Sequence, residues 1–465
     1  MLTMRDIKVA TGGNLTAGHA IDLEEQVEAV ATDHRAVQPG DLFVALPGEQ
    51  SDGHRYIPGA LENGARAVLL SQLPTESPPH GVTFVQTADT VRALGMLGAY
   101  WRTKMPARVV GITGSVGKTS TKEVLASVLS SAFVTLRSQK SHNNEIGLPL
   151  SLLALRSDVE VAVLEMGGAY EMGEITYLCS LARPDIGVVT NVGYAHVGRM
   201  GTLERIAETK SELVRGLPRD GLAVLNRDDP HVRAMADAAP CPVLWYGLDP
   251  GSEVSADEIV SDGLKGICFC LRIGRATYPN VKAPLLGRHS VHTILASVAV
   301  AHAEGIPDEQ IVAAIRGLEP GLRLMVNQGV NGSTLLDDTY NANPTSTLAA
   351  LNLLADIEGR KVAVLGDMAE LGDFAEEGHI RVGRRAAEVC DVLHAIGPLS
   401  RHTIDAALQA GMPAPSVHWY SSADEALAEL RQTLGKNDTV LLKGSRVMGL
   451  DKLASTLSVP DGERL

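Results

Sequence analysis

Between residues 107 and 123 the chain reads ARVVGITGSVGKTSTKE, a spacing suited to holding phosphate. An apolar run with Val109, Val110 and Ile112 feeds glycines, and Gly117-Lys118-Thr119 opens a helical segment. Glycines let successive N–H groups curl around phosphate oxygens, and a helix start adds a positive dipole end. Lys118 then neutralises the β- and γ-phosphates, while the Thr119 hydroxyl holds Mg²⁺. Gly114, Ser115, Gly117 and Ser120 complete the candidate loop. One glycine is displaced: the standard pattern has glycine five positions before Gly117, where this chain has Ile112. A ligand-free strand-to-helix turn is the competing interpretation, and G-K-T-S after a buried strand weighs against it.

The surrounding elements must bring other chemistry to that loop. Strand-like runs (ARVVGIT, VEVAVLEMG, DIGVVTNVG, GLAVLNRDD) alternate with helical ones (TSTKEVLASVLSSA, TLERIAETKSELVRGL). Such alternation predicts βαβ units and a parallel sheet, whose chemistry collects at the carboxyl ends of strands. Glu165, Asn191 and Asp228 fall at such ends. Glu165 is a candidate Mg²⁺ ligand, since Mg²⁺ prefers oxygen donors. A second series begins near EPGLRLMVN, with strands in STLLDDTY, RKVAVLGDM, DVLHAIG and DTVLLKGS. The fold class expected is α/β in three domains, 1–105, 106–317 and 318–465. The central one is a P-loop-type parallel-sheet ATPase domain and the last a Rossmann-like α/β domain.

The totals agree with that plan. At 465 residues the chain exceeds one compact core, and 45% hydrophobic with 21% charged residues is an ordinary globular composition. A formal net charge of −14 argues against a nucleic-acid surface. Five scattered cysteines lack metal or redox spacing and are expected as buried or partly buried free thiols; Cys268 and Cys270 share a strand in GICFCLRIG. No apolar run approaches a membrane span and no signal pattern opens the chain, so a cytoplasmic protein is expected.

The pattern G-x-x-G-x-x-G-K-T resembles the ATP loop of the Mur ligases and folylpolyglutamate synthases, three-domain ATP-dependent amide ligases. Further stretches narrow the likeness: TDHRAVQPGDLFVALPGEQSDGH, SHNNEIGLPLSLL, LEMGGAYEMGEI, TNVGYAHVGRMGTLERIAETKSEL, DDTYNANPTST, GDMAELGD and LLKGSR. Together they run from about residue 32 to 450. They are similar to the Mur ligase branch that joins D-alanyl-D-alanine to UDP-N-acetylmuramoyl-tripeptide. That resemblance implies an acyl-phosphate mechanism with ATP and Mg²⁺, a UDP-MurNAc-peptide-binding first domain and a third domain that binds the dipeptide and closes over ATP.

By the same resemblance, Asp33 and Arg35 belong to uridine binding and Asn143 and Asn144 to the substrate side. His196 supplies a ligand for a second Mg²⁺, a loop histidine being the alternative. Lys210 is carbamylated and helps hold that ion; the bland alternative is a solvent-facing lysine paired with Glu204 or Glu208. Arg323 follows the family's P-x-x-R pattern and suits phosphate oxygens. Asp338 is a candidate for the ribose hydroxyls and His289 for the nucleotide. Asn341 and Asn343 orient the dipeptide or their own loop's backbone. Lys443, Ser445 and Arg446 meet the dipeptide carboxylate, unless Lys443 and Arg446 are merely solvated. Asp367 and Glu370 sit near the incoming amine or simply open an acidic helix.

Two stretches depart from the family pattern. His34 stands where D-S-R has serine, and Ser290 and Thr293 stand where H-N-x-x-N has asparagines supporting adenine. A hydroxyl has one donor where an amide offers both a carbonyl and an NH₂. The alternatives carried are another ligase of this plan with a different acid or amine, and a nucleotide-dependent scaffold without ligase activity. A monomer is expected.

Overall fold

The computed structural model describes residues 1–48, 51–75, 77–139, 142–168, 171–195, 197–319 and 324–459; His196 and Arg323 lie outside the described residues. Three larger sheets follow one another along the chain. The first has five strands in the order Asn14–Ala17, Thr83–Gln86, Ala67–Leu70, Leu42–Val44, Val30–Ala31. Only its first pair is antiparallel. Its inner strand Ala67–Leu70 is buried at every position, as expected of a strand covered on both faces.

The central sheet has nine strands. Arg108–Thr113 lies between Ile186–Val189 and Val161–Glu165, parallel to both. From that strand the chain visits Thr135–Arg137 and Val161–Glu165 on one side, then Ile186–Val189 and Leu222–Asn226 on the other. The strand order therefore reverses at Arg108–Thr113, and a crevice opens at the carboxyl end of such a reversal. Beyond the alternating series, Val254–Ser261, Ile267–Ile273 and Ala276–Ala283 form an antiparallel extension. The cysteine-bearing strand is its middle member, and all five cysteines are free.

The third sheet has six strands in the order Met325–Gln328, Thr334–Asp338, Asp438–Lys443, Arg360–Gly366, Val392–Ile396, Val417–Tyr420. All but the first pair are parallel. In this register Asp338 sits directly beside Lys443, each the last residue of its strand.

The first and central sheets share one apolar core, in which Leu94, Leu97 and Trp101 of helix Thr90–Lys104 meet Leu148 and Leu152 of helix Gly147–Leu153. The third sheet meets the central one where Val197, Met200 and Ile206 pack with Met368 and Leu371. At that joint Gly198 N donates to Glu370 O at 2.8 Å. A Cβ added to Gly198 would meet Gly372 N at 2.5 Å, so the joint needs a bare backbone. Among the described residues no helix is long and apolar enough to cross a membrane.

Asp367 shows how these ends are finished. It is buried, and its carboxylate accepts from Ser400 N at 2.7 Å and Leu399 N at 3.2 Å, at the start of helix Ser400–Gln409. It neither opens an acidic helix of its own nor lines the central cavity; it caps a neighbour. Asp367→Ala is expected to lower stability by about 1–2 kcal/mol in urea unfolding, the range for a lost cap and a buried hydrogen bond. An unchanged midpoint would contradict this role.

Candidate active site

The carboxyl ends of the central and third sheets face one cavity of about 1850 Å³, to which the start of helix Thr90–Lys104 adds Asp89 and Arg92. The phosphate loop forms its floor. Ile112 is fully buried within strand Arg108–Thr113, so the position where a standard loop has its first glycine still belongs to the sheet. The turn starts at Gly114, with φ +139°. A Cβ there would lie 2.0 Å from Thr190 Oγ1. Gly117, at φ +88°, starts helix Lys118–Leu129.

Residues Thr190 to Gly193, after the neighbouring strand, strap the loop down. Asn191 Oδ1 accepts from Val116 N at 2.9 Å and its Nδ2 donates to Val116 O at 2.8 Å. Thr190 Oγ1 donates to the same carbonyl at 2.7 Å, and Ser115 Oγ accepts from Gly193 N at 2.9 Å. The position of Asn191 at a strand end is the sequence signal for this role; its partner Val116 is not readable from spacing. Lys118 Nζ donates to Gly114 O at 2.7 Å and Ser115 O at 3.3 Å, across the mouth of the loop.

Glu165 ends its strand only 2% exposed. Its two oxygens accept from Thr119 Oγ1 and Asn143 Nδ2, each at 2.8 Å. A hydroxyl and a carboxylate side by side are the oxygen donors Mg²⁺ takes. Among the described residues no group of three or more His, Cys, Asp and Glu could hold a metal. A site with few protein ligands suits Mg²⁺, which keeps waters and shares phosphate oxygens. Asn144 also borders the cavity, but its Oδ1 accepts from Gly147 N at 2.9 Å and caps that helix.

Lys210 does not face solvent. It is 3% exposed, borders the cavity, and donates to Gly168 O at 2.6 Å. Glu208, one proposed partner, pairs instead with Arg215. Burial, reinforced by the Lys118 charge, lowers the Lys210 pKa to about 7, against the opposing pull of Glu174, Glu212 and Glu165. This amine is thus largely deprotonated just above neutrality, where an ordinary lysine is not.

The third sheet supplies the opposite wall. Lys443 is 2% exposed, which rules out plain solvation; it donates to Asp338 Oδ2 at 2.6 Å and Asn341 O at 2.9 Å. Asn343 caps helix Pro344–Ala355 through Ser346 N at 2.9 Å, so it serves its own loop's backbone. Asn341 Oδ1 accepts from Ala342 N at 2.9 Å. Ser445 Oγ accepts from Ala369 N at 2.7 Å, while exposed Arg446 lies over the Tyr340 ring. Glu370 reaches the cavity and pairs with Arg199 at 3.3 Å.

Ser120, His289, Ser290, His292 and Thr293 also line the cavity, and His292 Nε2 lies 2.7 Å from Asp228 Oδ2, a carboxylate outside that lining. The surrounding protein lowers the His289 pKa, with Asp338 opposing. His292 has no counterpart in the sequence reading. Asp33 and Arg35 are not brought to this cavity: they pair with each other at 2.7 Å on the first sheet's surface, which holds the Asp33 pKa down at about 2. His34, in the serine position, stacks on Tyr56 with ring centres 4.7 Å apart.

Three family models match consecutive stretches: a Mur ligase family catalytic domain over residues 26–102, a Mur ligase middle domain over 112–301 and a Mur ligase glutamate ligase domain over 322–446. The UDP-N-acetylmuramoyl-tripeptide–D-alanyl-D-alanine ligase of Bacillus subtilis is 34% identical, covering 93% of both chains. The enzyme of that name from Escherichia coli is 35% identical over 93% of this chain and 94% of its own. A crystal structure of MurF from Acinetobacter baumannii superposes with a TM-score of 0.86, 32% identical over 98% of both chains. MurF from Thermotoga maritima, solved in complex with ADP, gives 0.80 at 29% identity, covering 94% of this chain and 98% of its own.

Gly114→Ala tests the loop geometry. The added methyl collides with Thr190 and forces a strained φ, so ADP affinity is expected to fall at least tenfold by calorimetry while far-UV circular dichroism is preserved. Unchanged affinity would mean that this turn does not hold phosphate.

Proposed function

The chain belongs to the Mur ligase family, and from that premise we propose that its cavity joins D-alanyl-D-alanine to UDP-N-acetylmuramoyl-tripeptide at the expense of ATP, in peptidoglycan precursor synthesis. The tripeptide's terminal carboxylate attacks the γ-phosphorus and ADP leaves, giving an acyl phosphate. The dipeptide amine then attacks the acyl carbon, loses a proton and expels phosphate, giving the UDP-MurNAc-pentapeptide.

The observation that carries this reading is the strapped phosphate loop beside Glu165 and Lys210, in a cavity bounded by three sheets' worth of elements. The first step brings two anions together, so cations must offset their repulsion. Lys118, swung from the loop carbonyls, neutralises the β- and γ-phosphates. Thr119 and Glu165 are the residues to hold Mg²⁺, which supplies further charge neutralisation. The Lys210 amine adds to CO₂ and loses a proton, becoming a carbamate that with His196 holds a second ion. Arg323 serves the phosphate oxygens from the third domain, and Asp338 the ribose hydroxyls. Lys443, Ser445 and Arg446 face the dipeptide carboxylate, while the first domain with Asp33 and Arg35 takes the uridine end. The enzyme acts as a cytoplasmic monomer.

Phosphate release measured with ATP, Mg²⁺, UDP-MurNAc-tripeptide and D-alanyl-D-alanine should require all four and yield the pentapeptide. Equal release without the muramyl substrate or the dipeptide would remove the substrate assignment. Lys118→Ala should abolish turnover, whereas near-normal kcat would exclude the loop from phosphate transfer.

Lys210 gives a pH test with a defined sign. Only the unprotonated amine reacts with CO₂, so its reactive fraction falls about tenfold per pH unit below the pKa. Enzyme stripped of CO₂ should regain activity on adding bicarbonate with a half-maximal rate near pH 7, more slowly at lower pH. Lys210→Ala should be inactive and partly rescued by short-chain carboxylic acids. Reactivation that is independent of bicarbonate, with no rescue by acids, would rule out the carbamate.

A further inference from the structure

The part of the cavity beyond the phosphate loop lies at the carboxyl end of strand Leu222–Asn226, two strands from Arg108–Thr113, or about 10 Å at ordinary sheet spacing. Leu285 and Leu286 give it apolar walls, and the first turn of helix Ser290–Ala303 closes it. This is where a base attached to a loop-bound phosphate would rest. Positions 290 and 293 have hydroxyls in place of the amides that the family pattern carries.

The amide and hydroxyl groups at hand are mostly committed. Ser290 Oγ donates to Leu286 O at 2.6 Å. Asn226 donates to Thr190 O at 2.8 Å and accepts from Asp228 N at 3.0 Å. His292, on the same helical turn, is differently placed. Its Nε2 lies 2.7 Å from Asp228 Oδ2, and Asp228 is itself fixed by Leu248 N at 2.7 Å and Asp249 N at 2.9 Å. Burial works against the charged Asp228, but hydrogen bonds from His292 and these two amides outweigh it and hold its pKa below the usual value. A carboxylate oxygen accepts, so Nε2 carries the proton toward Asp228, and in that tautomer Nδ1 is an acceptor. Among the described residues no protein group is bonded to that nitrogen.

We propose that His292, oriented by Asp228, selects the nucleobase: Nδ1 accepts from the 6-amino group of adenine and disfavours guanine, whose 6-oxo group is a second acceptor. The donor and acceptor patterns of the two purines differ at that position. The inference rests on the ATP reading above and adds the group that tells ATP from GTP, in a chain whose pocket lacks the expected asparagines.

Calorimetry on the full chain with ADP, GDP and purine riboside diphosphate, which lacks any 6-substituent, tests this without turnover. The wild type should bind ADP about tenfold or more tighter than either analogue, the scale of one good base contact. His292→Ala should weaken ADP and bring all three affinities within about twofold. A variant that keeps the ADP-to-GDP ratio overturns the proposal. So does a wild type that binds purine riboside diphosphate as tightly as ADP, a comparison that stands even if the variant does not fold. A wild type that binds none of the three overturns the ATP reading itself, and this inference with it.

Discussion

A carboxylate that is almost wholly buried cannot be left without partners, and Glu165 imposes that demand at the centre of this molecule. Both of its oxygens are taken, by the first turn of the phosphate-loop helix and by the 142–144 segment. Its own N–H goes to Ser138 Oγ at 3.2 Å, and the fully buried Lys122 donates to Ser138 O at 2.7 Å. Two stretches of chain distant from it in sequence, one with Thr119 and Lys122 and one with Ser138 and Asn143, are thereby indexed to one acid. The hydroxyl and amide that satisfy it are also groups that a divalent cation can displace or share. The same constraint therefore assembles the protein and prepares the site for charge.

The third sheet meets an analogous demand with Asp338 and Lys443, brought side by side by parallel register. A buried ion pair of this kind recovers little net stability once desolvation is counted, and losing either partner strands the other. Its value lies in position. It fixes a charged pair at the rim where the C-terminal strands face the phosphate loop, and the backbone carbonyl of Asn341 holds the lysine from a second direction.

Much of this was legible in the sequence. Alternating apolar runs and helical periods gave away the parallel sheets, and the loop, Glu165 and Asn191 were marked by their positions at strand ends. The antiparallel extension of the central sheet was less visible, because short alternating strands carry no crossover helix to announce them. The depth of Lys210 was hidden for a different reason: its helix has charged neighbours on every side in sequence, and only packing against the strand ends shows which face is covered. Asn343, read as serving the dipeptide or its own loop, and Asn144, read on the substrate side, border the cavity and also cap helices, while Asp367, read as near the amine or as an acidic helix start, caps a neighbouring helix. Spacing cannot separate a side chain that binds substrate from one that satisfies a backbone end. The His292–Asp228 pair joins residues 64 positions apart, beyond any local pattern.

The joint between the central and third sheets has a property that follows from its two glycines. The contact of Gly198 with Glu370 O is an amide–carbonyl bond between bare backbones, with Gly372 close against it. Dissolved ions screen charges beyond about 8 Å at physiological ionic strength but leave such a short neutral contact untouched. The neighbouring Arg199–Glu370 pair is partly exposed and open to screening. Dissolved salt thus acts on the charges entering the cleft, while the spacing of its walls at this joint is set by the shape of the backbone.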